Sequence, residues 1–171
     1  MEAYIWLEQE RFLAPGPGRS EDWQFITRRG EKVLQNEDFS AYIMESLLDS
    51  KSLHPILSRK VKPLFVRGDY DTAIFQAFKS VEVQVRSKGV YSHSDIGVNL
   101  MRKAFHPETG PLTDSKLENA EKQAMSDLYA GAIGLFKNPV SHRFIDTFSP
   151  EDTADILRFA NYLLKYLEER D

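Results

Sequence analysis

Lys137-Asn-Pro-Val-Ser-His142-Arg143 gathers a cation, an amide, a hydroxyl, an imidazole and a guanidinium directly after the apolar run Gly131-Ala-Ile-Gly-Leu-Phe136. An imidazole exchanges protons near neutral pH, and fixed positive charge beside it stabilises a developing anion. The chemistry such a set could perform is phosphate handling, RNA cleavage included. Five positions separate Lys137 from His142, which on an uninterrupted helix places them about 140° apart. Pro139 changes this, because a break at Asn138-Pro139 swings His142 back toward Lys137 and leaves Asn138 free to end the helix and bond a substrate oxygen. Spacing alone carries little weight, since Lys88 precedes His93 at the same interval without that context. A plainer reading stays open: His142 satisfies a backbone carbonyl, and Lys137 is a cation favoured by the negative pole of its helix.

Other candidates depend on what faces this segment. Glu82 and Arg86 are four apart and read as a surface salt bridge, unless their helix face, which also carries Lys79, borders His142. His54 and His106, each before a proline, read as loop histidines. Histidines and acids are too scattered for a metal site, and neither a glycine-rich phosphate loop nor a Gly-x-Ser-x-Gly elbow occurs. The absence of cysteine removes disulfides, thiolate nucleophiles and Cys-based metal centres. No bound cofactor and no metal are expected.

The elements that must position these residues fit within 171 residues that are 42% hydrophobic, enough for one good core and a small appendage. A formal charge of −4 argues against a protein that coats nucleic acid over its whole surface and confines any such site to a local basic patch. No apolar run approaches a bilayer span, and Met1-Glu-Ala-Tyr-Ile-Trp-Leu-Glu8 lacks the basic start of a signal peptide, so the expected compartment is the cytoplasm, with no membrane partner.

Residues 1–36 predict a helix over Ala3 to Phe12, a strand-like Phe12-Leu13-Ala14, a turn-rich stretch, a second strand over Trp23 to Thr27, and a short helix that Gly30 precedes. That order resembles the back half of a winged helix-turn-helix unit whose front half is missing, and so predicts a truncated or degenerate appendage. Arg28, Arg29 and Lys32 fit a solvated turn and helix face better than a DNA contact. Residues 37–171 read as a bundle of about five helices, giving a mainly α fold class. Phe39, Tyr42, Ile43 and Leu47 recur at helical spacing, Leu53 to Val66 is a second candidate, and Asp69 caps a core helix with the stripe Ile74, Ala77, Phe78, Val81 and Val85 that stops near Gly89. Ser94 or Asp95 opens a helix through Phe105. Asp114 or Ser115 opens a long one, with Leu117, Ala120, Ala124, Leu128 and Gly131 along its buried seam and Met125, Tyr129, Ala132 and Phe136 widening it. Ser149-Pro150-Glu151-Asp152 starts the last helix, whose stripe is Ile156, Leu157, Ala160, Leu164 and Leu167.

Leu53-His-Pro, then Leu64-Phe-Val-Arg-Gly-Asp-Tyr-Asp-Thr-Ala-Ile-Phe-Gln-Ala-Phe-Lys-Ser-Val-Glu-Val-Gln-Val-Arg86, then Gly131 to His142, resemble the Ymh-type family of bacterial and phage proteins, which belongs with the HEPN-like helical domains. The likeness runs from Leu53 to Glu169, and Trp6-Leu7-Glu8 with Phe25-Ile-Thr-Arg-Arg-Gly30 resembles that family's N-terminal extension. Many HEPN-like domains are metal-independent ribonucleases of defence and toxin systems, with an Arg, a polar residue and a His four to six positions on. The resemblance implies catalytic Lys137, Asn138 and His142, with Arg143, Ser141, Lys79 and Arg86 as substrate-binding residues. Lysine departs from the usual arginine, because a point charge lacks the two-pronged grip of a guanidinium on phosphate. The same likeness implies a homodimer that brings two motifs to one cleft, RNA as substrate, and at most a minor DNA contact through residues 1–36. Two other readings remain: a non-catalytic dimerisation or interaction module, and a nucleotide-binding domain using the same basic pocket.

Overall fold

The computed structural model describes residues 2–16, 23–35, 44, 46–49, 51–138 and 148–169. It divides into two compact units, Met1–Ser46 and Leu47–Asp171. The fold is mainly helical, with one small β-hairpin near the N-terminus.

In the first unit, α1 (Glu2–Gln9) is followed by β1 (Leu13–Pro15) and β2 (Gln24–Ile26), an antiparallel pair with Leu13 opposite Ile26 and Ala14 opposite Phe25. The first helix stops short of Phe12 because Arg11 adopts a left-handed conformation, φ 58°, that no helix can continue. Phe12 is thereby turned inward, where its ring meets Trp6 and lies beneath the Arg29 guanidinium. α2 (Arg28–Gln35) starts two residues before Gly30, with the Thr27 hydroxyl accepting the Gly30 N–H in the manner of an N-cap. Gly30 is therefore a buried helical residue and does not precede the helix. A methyl group there would stand 2.5 Å from the Phe12 carbonyl oxygen, so only glycine allows the helix to approach the chain so closely. Arg29 pairs with Glu10 at 3.2 Å on the surface.

The second unit opens with two short helices, α3 (Pro55–Lys60) and α4 (Lys62–Val66), where the sequence pattern suggests one. Pro63 supplies the reason: it has no N–H to give the preceding turn, and its ring crowds the carbonyl four residues back. α5 (Tyr70–Lys88) is the central helix, and all five residues of its expected stripe, Ile74, Ala77, Phe78, Val81 and Val85, are buried. α6 (Gly97–Ala104) begins later than Ser94 or Asp95, since the Asp95 carboxylate is committed to the Ser92 N–H and the Lys103 ammonium. α7 (Asn119–Ala132) likewise begins after Asp114 and Ser115, where the Glu118 N–H donates to the Glu121 carboxylate in a capping box. It passes into a π-helical turn, Ile133–Lys137, which Asn138 closes by donating its N–H to the Ile133 carbonyl. α8 (Pro150–Glu168) starts as its sequence predicts, with the Ser149 hydroxyl accepting the Asp152 N–H at 3.0 Å.

Three rings join three elements at the centre of this unit. Phe78 of α5 stacks on Phe136 of the π-helical turn at 5.0 Å, and Phe159 of α8 lies 6.2 Å from both. A second stack, Phe105 on Tyr129 at 4.1 Å, fastens α6 to α7, and the buried Tyr129 hydroxyl donates to the Leu163 carbonyl of α8. The inward face of α7 is therefore Ser126, Tyr129, Ala130, Ala132 and Ile133. The expected seam is reversed: Ala120, Ala124, Leu128 and Gly131 are exposed. α7 carries small and apolar residues on both faces, and the aromatic stack selects the face with Tyr129 because a large ring buries more apolar surface than alanine.

Candidate functional site

Glu82 lies one position past Val81 on the flank of the α5 stripe, and the packing that buries the stripe takes its side chain inside as well, leaving it 5% exposed. A buried carboxylate needs partners, and Glu82 has three. It accepts from the Lys137 ammonium at 2.8 Å, from the Arg86 guanidinium at 2.8 Å and from the Gly97 backbone N–H at 2.7 Å. Arg86 also donates through Nε to the Asp95 carbonyl at 2.8 Å. Gly97 offers its N–H at φ 66°, a conformation that glycine adopts without strain. One carboxylate thus ties the middle of α5 to the start of α6 and to the end of the π-helical turn.

Two cations and one anion leave this cluster with a surplus positive charge. Burial alone would push the Glu82 carboxyl upward, but the Lys137 hydrogen bond, the Gly97 amide and the two neighbouring positive charges outweigh it and hold the carboxyl below its ordinary value. Glu82 is accordingly an anion at neutral pH, unsuited to giving or taking a proton there, and its role is to position the two cations. The expected surface salt bridge between Glu82 and Arg86 is in fact a buried one, with Lys137 as a third member.

The other sequence-predicted residues distribute unevenly. The face carrying Glu82 and Arg86 does meet Lys137. Lys79 stays apart on the exposed side of α5, its ammonium 5.8 Å from the Phe75 ring. Asn138 is half-buried and closes the π-helical turn, in keeping with its expected helix-ending role. Pro139, Ser141, His142 and Arg143 lie outside the described residues. His54 is not a loop histidine: it is 4% exposed, its Nδ1 accepts the Ile56 N–H to cap α3, and its Nε2 meets Glu168 at 2.7 Å. His106 is exposed, and its Nδ1 accepts the N–H groups of Glu108 and Thr109, holding its own loop. Among the described residues, no group of three His, Asp or Glu side chains could hold a metal ion, and no helix is long and apolar enough to cross a membrane.

Residues 51–167 match the family model described as a protein of unknown function, Hypoth_ymh. The chain belongs to the Hypoth_Ymh family. The match spans both sides of the Glu82 cluster, from α3 to nearly the end of α8, and leaves the Met1–Ser46 unit outside it. No curated protein and no solved structure matches the chain.

Sequence reasoning named Glu82 but underrated it. The usable signal was its place on the helix, four residues after Phe78 and three before Val85, which sets it at the edge of the buried stripe. Its pairing with Lys137, 55 residues on, has no counterpart in sequence spacing.

Proposed function

We propose that the Leu47–Asp171 unit is a metal-independent endoribonuclease domain of HEPN-like type, acting as a homodimer and serving phage defence or toxin-like growth control. The observation that carries this reading is the gathering of Lys137 and Arg86 on the buried Glu82 at the helix end that leads into Ser141, His142 and Arg143. A buried ion cluster adds little to stability compared with apolar packing, so its presence at a helix end favours a positioning purpose. In this mechanism the RNA 2′-hydroxyl attacks the adjacent phosphorus, His142 takes its proton, and the surplus positive charge of the cluster, with Arg143, stabilises the phosphorane. Asn138 bonds a phosphate oxygen. Glu82 is a positioning residue that holds Lys137 and Arg86 in register, and the lysine is balanced by it and does not act as a free charge.

The test is incubation of the full chain with mixed RNAs in EDTA, beside His142→Ala and Lys137→Ala. Cleavage that survives EDTA, ends in a 2′,3′-cyclic phosphate and disappears in His142→Ala with its helical circular dichroism intact supports the assignment. Cleavage that needs a divalent ion, or that persists without His142, overturns it. The non-catalytic interaction module is the second reading, favoured by the outward face of α7, where Leu135 is 65% exposed.

A further inference from the structure

The solvent side of a packed helix normally carries charged and polar residues, and a helix with apolar residues all round is normally buried all round. α7 and its π-helical extension break that rule. Opposite the buried Tyr129 and Ile133 run Ala120, Ala124, Leu128, Gly131 and Leu135, all exposed, with Leu128 at 39% and Leu135 at 65%. A Cβ built on Gly131 meets nothing within 4 Å, so the residue's lack of a side chain serves no packing inside its own unit.

We infer that this face is the contact surface for a second copy of the chain, paired antiparallel about a two-fold axis beside Asp127 and Leu128. The residue sizes choose the occupant and the direction. With the axis there, Leu135 of each copy falls on Ala120 of the other, Gly131 meets Ala124 so that the backbones approach closely, and the two Leu128 side chains lie next to each other. Large residues oppose small ones along the whole seam, which is the self-complementarity an isologous pair requires. Charge agrees with this direction. Glu118 and Glu121 are exposed at the first turn, so parallel pairing would crowd four carboxylates at one end, whereas antiparallel pairing separates them and opposes the helix dipoles. Near the axis each Asp127 is already paired with Arg102 at 2.8 Å, which spares the pair a like-charge contact.

From Asn119 to Lys137 the contact is about 28 Å long. A single helix seam of that length buries less than about 1,200 Å² in total, the size class of weak assemblies. The dimer therefore forms at micromolar concentrations. The same register sets the two Lys137 residues roughly 28 Å apart, so it does not join two motifs in one cleft, and each copy's cluster works alone. The pairing goes beyond the proposed ribonuclease reading, and its test reads no RNA cleavage, so either can fail without the other.

The chain has no cysteine, so introduced ones report alone. Oxidising full-length Leu128→Cys should give a disulfide-linked dimer. Ala120→Cys, about 22 Å from its copy in this register, should not link to itself but should link to Leu135→Cys when the two are mixed. Sedimentation should show a concentration-dependent dimer that Gly131→Arg weakens at least tenfold, with a melting temperature unchanged or raised because helical glycine is replaced in open space. A monomer throughout the micromolar range overturns the second copy as occupant. A dimer indifferent to Gly131→Arg, or Ala120→Cys linking to itself, overturns the surface or the register.

Discussion

Replacing Glu82 by Gln keeps the volume of the side chain and removes its charge, which isolates the contribution of the anion. In the native protein the carboxylate accepts three hydrogen bonds, two of them from cations whose side chains are only 14% and 15% exposed. Glutamine accepts through one oxygen and presents its NH₂ group to the remaining donors. Removing one partner of a buried ion pair costs about 3–5 kcal/mol. Lys137 and Arg86 can turn their charged ends toward water, which places the expected loss near the lower end, about 3 kcal/mol. For a domain of this size that lowers the melting temperature by roughly 10 °C, measurable by calorimetry on both proteins at pH 7. The pH dependence follows from the sign of the shift. Glu82 has its folded value below the ordinary 4.5, so its stabilising contribution is fully present above about pH 4.5 and is lost as pH falls through the folded value. Glu82→Gln should therefore approach the native protein in stability under acid while lagging at neutral pH. A loss under about 1 kcal/mol at pH 7, or a gap between the two proteins that does not narrow on acidification, refutes the reasoning.

The core assignments give two further checks by urea denaturation. Phe78→Ala removes the ring shared with Phe136 and Phe159 at a fully buried position and should cost about 3–5 kcal/mol, while Leu128→Ala on the outward face of α7 should cost less than about 1. Tyr129→Phe leaves the ring stacked on Phe105 and deletes only the 2.8 Å hydrogen bond to the Leu163 carbonyl, so a loss of about 1 kcal/mol is expected, and one above about 3 would mean the hydroxyl does more than bridge α7 to α8.

Local patterns in the sequence determined much of this protein: the mainly helical fold, the N-terminal hairpin, the stripe from Ile74 to Val85, and the start of α8 at Ser149-Pro150. Each rests on neighbours within a turn or two, where periodicity and capping chemistry act directly. The family was also legible, from residues that the Hypoth_ymh match spans. Only the tertiary structure decided which face of α7 is buried, because that helix has two apolar faces and the choice is made by a Phe105 ring from another helix. It alone decided that Leu53 to Val66 is two helices and that His54 is a buried cap. Above all it turned Glu82 from a presumed surface partner of Arg86 into the buried anchor of Lys137, since a carboxylate at the edge of a stripe can be exposed or buried with the same sequence around it. What settles the matter is whether packing brings a cation and a free N–H to meet it, and here α6 brings Gly97 and the π-helical turn brings Lys137.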